Sequence, residues 1–129
     1  MRTVLFVSSL AVLAACGQVD PIPEEEKAEI DCLASITVVE ITDAIREGAA
    51  NGTDPAELQT VKPERIAAAI EKLEAKYSGE MDSAYLEYDI NHRLDKIQDA
   101  LNNRDPDSEA TQIMNETLAL GKSCTFGSE

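Results

Sequence analysis

Apolar residues recur every three or four positions along most of this chain, the spacing of helices that bury one stripe. Between about Glu24 and Ala49, Ile30, Leu33, Thr37, Val38, Ile41 and Ile45 share a face. Glu24, Glu25 and Glu26 favour the positive N-terminal end of that helix. Cys32, Ile36 and Val39 project from the opposite side, so the first half of the helix needs cover on two faces. Asn51-Gly52 stops it. Asp54-Pro55-Ala56-Glu57 reads as a restart, with Asp as N-cap, proline at the first helical position and glutamate at the third. This predicts a short helix to about Thr60. The next helix spans Pro63 to Tyr77 on the stripe Ile66, Ile70, Leu73 and Tyr77, and Ser78-Gly79 ends it. A long helix from Glu80 to Asn103 has the stripe Leu86, Ile90, Leu94, Ile97 and Leu101. Asp105-Pro106 is expected to cap the last helix, which runs to about Lys122 with Ile113, Met114, Thr117 and Leu120 inward. The alternation of a half-buried strand is absent, and so are internal repeats.

The N-terminus departs from this pattern. Arg2 precedes an apolar stretch from Val4 to Ala15, broken only by Ser8 and Ser9, the charged head and apolar body of a secretory signal. The stretch is about a dozen residues, short of the roughly 20 that a bilayer-crossing helix needs. It ends in Leu13-Ala14-Ala15-Cys16-Gly17. This resembles the lipobox of bacterial lipoproteins, over residues 1–16 only. The resemblance implies that the Cys16 thiol receives a diacylglyceryl group, that the signal is cut before it, and that the new terminus is acylated by a chain such as palmitate. The chain then divides into a cleaved signal peptide (1–15), a lipidated cysteine with its tether (16–23) and a helical domain (24–129). Each buried methylene contributes about 0.8 kcal/mol, so several acyl chains make a nearly permanent anchor. Within the resembled family, Gly17 in place of Asp after the lipidated cysteine points to the periplasmic face of the outer membrane, if the host is Gram-negative.

Export changes the reading of the remaining cysteines. Cys32 and Cys124 would fold in an oxidising compartment, where an even pair is normally bridged. Closing a loop of about ninety residues is worth about 4–5 kcal/mol in the chain-entropy picture. The bridge also selects a topology. In an up-down bundle the last helix ends beside the start of the first only when the number of main helices is even. The expected fold is therefore all-α. It is a four-helix up-down antiparallel bundle with a short extra helix between the first two main helices, stapled by one disulfide. The tail with Phe126 is expected to cover Ile36 and Val39.

Charge excludes some functions. The net charge is −14, with 25 acidic against 11 basic residues and no Trp, so nucleic acid and anionic lipid headgroups are repelled. Chemical motifs fail on inspection. Gly121-Lys122-Ser123 resembles the end of a phosphate loop, but the glycine needed five positions earlier is Glu116, and the segment ends a helix. The run from Asn103 to Glu109 lacks the glycine and the terminal glutamate of a calcium loop. Asp89 and His92 have the spacing of a di-iron carboxylate–histidine pair, yet His92 is the chain's single histidine. No catalytic residue, cofactor site or metal site is expected.

Met81, Tyr85, Tyr88 and His92 lie roughly opposite the aliphatic stripe of the long helix. They read either as packing against a neighbouring helix or as a partner-binding face, since they combine apolar area with polar tips. The expected function is that of a non-enzymatic, membrane-anchored envelope lipoprotein acting by protein contact, with a basic partner suiting the charge. The alternatives are a small-molecule or ion-binding helical lipoprotein, and an inhibitor or immunity protein of an envelope hydrolase.

Overall fold

The computed structural model describes residues 22–77 and 80–126, and every helix expected within them is present. They are α1 (Glu24–Ala50), α2 (Pro55–Leu58), α3 (Val61–Lys76), α4 (Glu80–Asn103) and α5 (Glu109–Ser123). No strand occurs among the described residues. The signal-like stretch and Cys16 lie outside them.

Local chemistry explains most boundaries. The three glutamates occupy the first turn of α1, and Lys27 N–H closes that turn on the Pro23 carbonyl at 2.9 Å. At the other end Gly52 adopts φ 78°, a conformation that favours glycine, and Thr53 N–H returns to the Gly48 carbonyl at 2.8 Å. Asp54 caps α2 by accepting the Ala56 N–H at 2.9 Å. Helix α3 begins two residues before the expected Pro63. Proline is tolerated there because the N–H groups of a first turn have no helical partner. The start of α5 needs correction. Asp105-Pro106 does not cap it: Asp105 accepts the Asp107 N–H at 3.0 Å within the turn, and Ser108 is the cap, accepting the Thr111 N–H at 3.1 Å. A serine at this position satisfies a helical N–H as well as aspartate does.

The four main helices alternate in direction, as expected. Helices α1 and α4 run parallel in contact at the centre, with α3 and α5 antiparallel to them on opposite sides. The core joins Ile30, Leu33, Val38 and Ile41 of α1 to Leu73 of α3 and to Leu86 and Ile90 of α4. The expected stripes fade at their far ends. Ile45 and Leu101 are exposed, while Ile97 and Ala100 take the inward positions on α4. Each exposed residue lies fifteen positions after the first of its stripe, and at 100° per residue that carries it about 60° away from the core.

Cys32 and Cys124 are bridged, with Cα atoms 6.0 Å apart across a sequence separation of 92. Gly121 explains how α5 comes so near α1. A Cβ there would stand 2.6 Å from the Ser35 carbonyl oxygen and 2.6 Å from Val39 Cγ2. Val39 is thus covered by α5 itself. Phe126 shares a groove with Ile36 and packs on the edge of the core, with Lys76 Nζ 5.6 Å from its ring centre. Both ends of the described chain lie at one pole, and the α1–α2 and α4–α5 turns lie at the other.

Candidate functional site

The residues singled out on α4 divide between two environments. Met81 and Tyr88 are exposed, and the Tyr88 ring stacks on His92 with centroids 5.7 Å apart. These positions follow one another at helical spacing on the solvent side. Tyr85 is different. It is half-buried, packs on the core, and donates its hydroxyl to Asp31 Oδ1 of α1 at 2.8 Å. The stripe is therefore part packing and part open face.

Tyr85 leads into a polar cluster that the sequence did not single out. Asp89 is 7% exposed on the α1 side of α4. Arg93 spans the cluster: Nε donates to Asp89 Oδ2 at 3.2 Å and Nη1 to the buried Thr117 hydroxyl of α5 at 2.8 Å. Its Nη2 lies 3.8 Å from Asp31 Oδ1. One guanidinium thus ties three helices together. Asp31 and Asp89 meet the same guanidinium from two helices, and each lies within reach of the other's charge. One signal could have exposed this. Asp82, Asp89 and Arg93 interleave with Leu86, Ile90 and Ile97, so three charged side chains sit on the inward arc of α4.

Burial, then hydrogen bonding with Asp31, pushes the Asp89 carboxyl up to about 6, against the opposing pull of Arg93. A second acid pair lies nearer the start of the same seam. The Glu26 carboxyl is raised by burial and by the charge and hydrogen bond of the buried Asp82. On the α3 side, Glu29 accepts from Lys76 Nζ at 2.7 Å and from the Tyr77 hydroxyl. These bonds lower Glu29 and push Tyr77 up to about 12.

The remaining expected positions have structural settings. Asp89 points inward and His92 lies against Tyr88, so the two do not converge. Gly121-Lys122-Ser123 ends α5, and the acids near Asp105 build the turn before it. Among the described residues, no group of three or more His, Cys, Asp or Glu side chains is placed to hold a metal ion. None of the described helices is long and apolar enough to cross a membrane. Apolar concavities occur elsewhere. One of about 330 Å³ lies between α3 and α4 over Ile66 and Ile70, and one of about 190 Å³ lies among α1, α4 and α5 over Ile97 and Leu118.

No protein-family model matches the chain, and no curated protein and no solved structure is significantly similar to it.

Proposed function

We propose that this chain is a lipid-anchored lipoprotein of the bacterial envelope that acts by protein contact rather than by catalysis. One observation carries the reading: Leu13-Ala14-Ala15-Cys16 closing an apolar stretch behind Arg2. Two others support it. A disulfide suits an exported domain, since reducing compartments keep such thiols apart. Met81 and Tyr88 are exposed and His92 is half-buried against Tyr88, an aromatic and thioether surface of the kind that enriches contact sites. A net charge of −14 suits a basic partner, among them an envelope hydrolase held by its inhibitor.

This reading also orients the domain. The tether from Gly17 to Pro23 reaches roughly 25 Å when extended. The pole holding both chain ends would face the membrane, and the α1–α2 and α4–α5 turns would face outward. Replacing Cys16 by alanine should abolish metabolic fatty-acid labelling and release the protein from the membrane fraction. Labelling that persists would overturn the anchor. Small-molecule binding remains the second reading, favoured by the apolar cleft among α1, α4 and α5.

A further inference from the structure

Toward the pole with the outward turns, α1, α4 and α5 leave a cleft of about 190 Å³. Its apolar walls are Val39, Ile97, Leu101, Met114 and Leu118, and Thr42 joins the charged residues of its rim. Across Leu101 and Met114 it adjoins an open depression of about 660 Å³ that Arg104 and Pro106 help to line. An apolar cavity of about 150 Å³ is enough to hold benzene and stays dry when empty. The cleft therefore suits a hydrocarbon group of at least six carbons.

The polar rim is unusual for this molecule. Arg46, Lys122 and Arg104 surround the two concavities in a chain where acids outnumber bases 25 to 11. Arg46 is paired with Asp43, which also lines the cleft, at 2.7 Å. Lys122 and Arg104 form no ion pair among the described residues, although acids are abundant. Arg104 also occupies a strained position. Its φ is 54°, in the left-handed region that glycine and asparagine occupy most readily. Asn102 and Asn103 stand just before it, yet arginine holds the site. One of its N–H groups, on Nε, leans on the Leu101 carbonyl at 3.4 Å, and the terminal nitrogens stay available for the planar, forked contact that a guanidinium makes with a carboxylate.

We propose that the cleft and its depression bind a medium-chain carboxylate. Its tail lies along Ile97, Met114 and Leu118, and its carboxylate sits on Arg104, with Lys122 as the second cation of the rim that forms no ion pair among the described residues. The forked cation at Arg104 and the apolar lining of the cleft fix this class. A cationic or very short ligand satisfies only one of them. The site depends neither on the lipid anchor nor on the open face of α4, and its test is separate from theirs.

The full chain carrying Cys16→Ser is titrated with sodium octanoate, followed by calorimetry and by the NMR signal of the Met114 methyl. Saturable one-to-one binding that moves this signal is expected. Octyltrimethylammonium, with the same tail and the opposite charge, should leave it in place. Arg104→Gly should weaken octanoate binding roughly tenfold, the loss of one charge-assisted contact. The same variant should melt higher, because glycine fits the left-handed backbone. A site that merely needed a stable turn would bind better in that variant. Leu118→Trp, filling the cleft, should abolish binding. Where it fails to fold, Arg104→Gly and the cationic analogue decide. The proposal is overturned by the absence of a saturable shift at millimolar octanoate, by equal binding of the cation, or by unchanged affinity in Arg104→Gly.

Discussion

Tyr85 and Tyr88 stand one turn apart on α4, share a residue type, and do different work. Tyr85 is half-buried with its hydroxyl on Asp31, in a seam that also holds Asp89, Arg93 and Thr117. Tyr88 is 63% exposed and touches His92 of its own helix. A rotation of about 60° around the helix, three residues at 100° each, separates a group that ties α4 to α1 from one that faces solvent. A tyrosine's role is set by the arc it occupies, and a single helix can carry a structural face and a contact face side by side.

The largest effect should come from breaking the seam at its centre. Arg93→Met keeps the side chain's bulk but removes the cation. Asp89 and Asp31 lose their counter-charge, and the buried Thr117 hydroxyl loses its donor. Removing one member of a buried ion pair destabilises by about 3–5 kcal/mol. Chemical denaturation should register that loss without a change of fold.

Tyr85→Phe is the milder cut. It removes one hydrogen bond to a carboxylate and leaves the ring packed on the core. Bonds to charged groups contribute about 1.5–3 kcal/mol, and this half-buried one belongs at the lower end.

Acidity sharpens the same contrast. The Asp89 carboxyl is raised from its usual range to about 6, so between about pH 4 and pH 6 the folded chain holds a proton that the unfolded chain has released. Stability from this group is full at the acidic end and falls as pH rises through about 6. The raised Glu26 adds an effect of the same sign, and the lowered Glu29 a smaller one of the opposite sign. Arg93, Tyr85 and Asp31 face Asp89 and act on the same equilibrium, while Thr117 is un-ionised. Melting temperature followed across this window should decline with rising pH. Asp89→Asn, which keeps the shape and cannot ionise, should flatten much of that slope.

The double change Tyr88→Ala with His92→Ala should be the smallest of the series in stability. Exposed substitutions away from caps and cores stay within about 0.5 kcal/mol. Melting should hardly move, while adducts to a partner disappear. A large fall in melting temperature would show that this face is structural as well, and the contrast with Tyr85 would be lost.

Much of the bundle was legible in the sequence because its causes are local. Helix α4 was bounded by the Ser78-Gly79 break and the run of polar residues after Asn103. The pairing of Cys32 with Cys124 fixed the direction of α5. Where two local signals competed, Asp105 and Ser108 both offered a cap, and only the turn geometry decides between them. The polar seam was hidden for a different reason. Asp31 and Asp89 are two among 25 acids, and their pairing depends on the relative height of two parallel helices that no short-range signal encodes. Gly121 was visible as a helix terminus, but its contact with the Ser35 carbonyl follows only from how closely α1 and α5 approach.

The most direct test of the contact face is site-specific photocrosslinking in living cells, with the reactive group placed at position 88 in one strain and at position 85 in another. A discrete adduct from position 88 is predicted, found in the membrane fraction and lost when Cys16 is also changed to alanine. Position 85 should give crosslinks within the chain only. Adducts of equal yield from both positions, or none from position 88, would contradict the account.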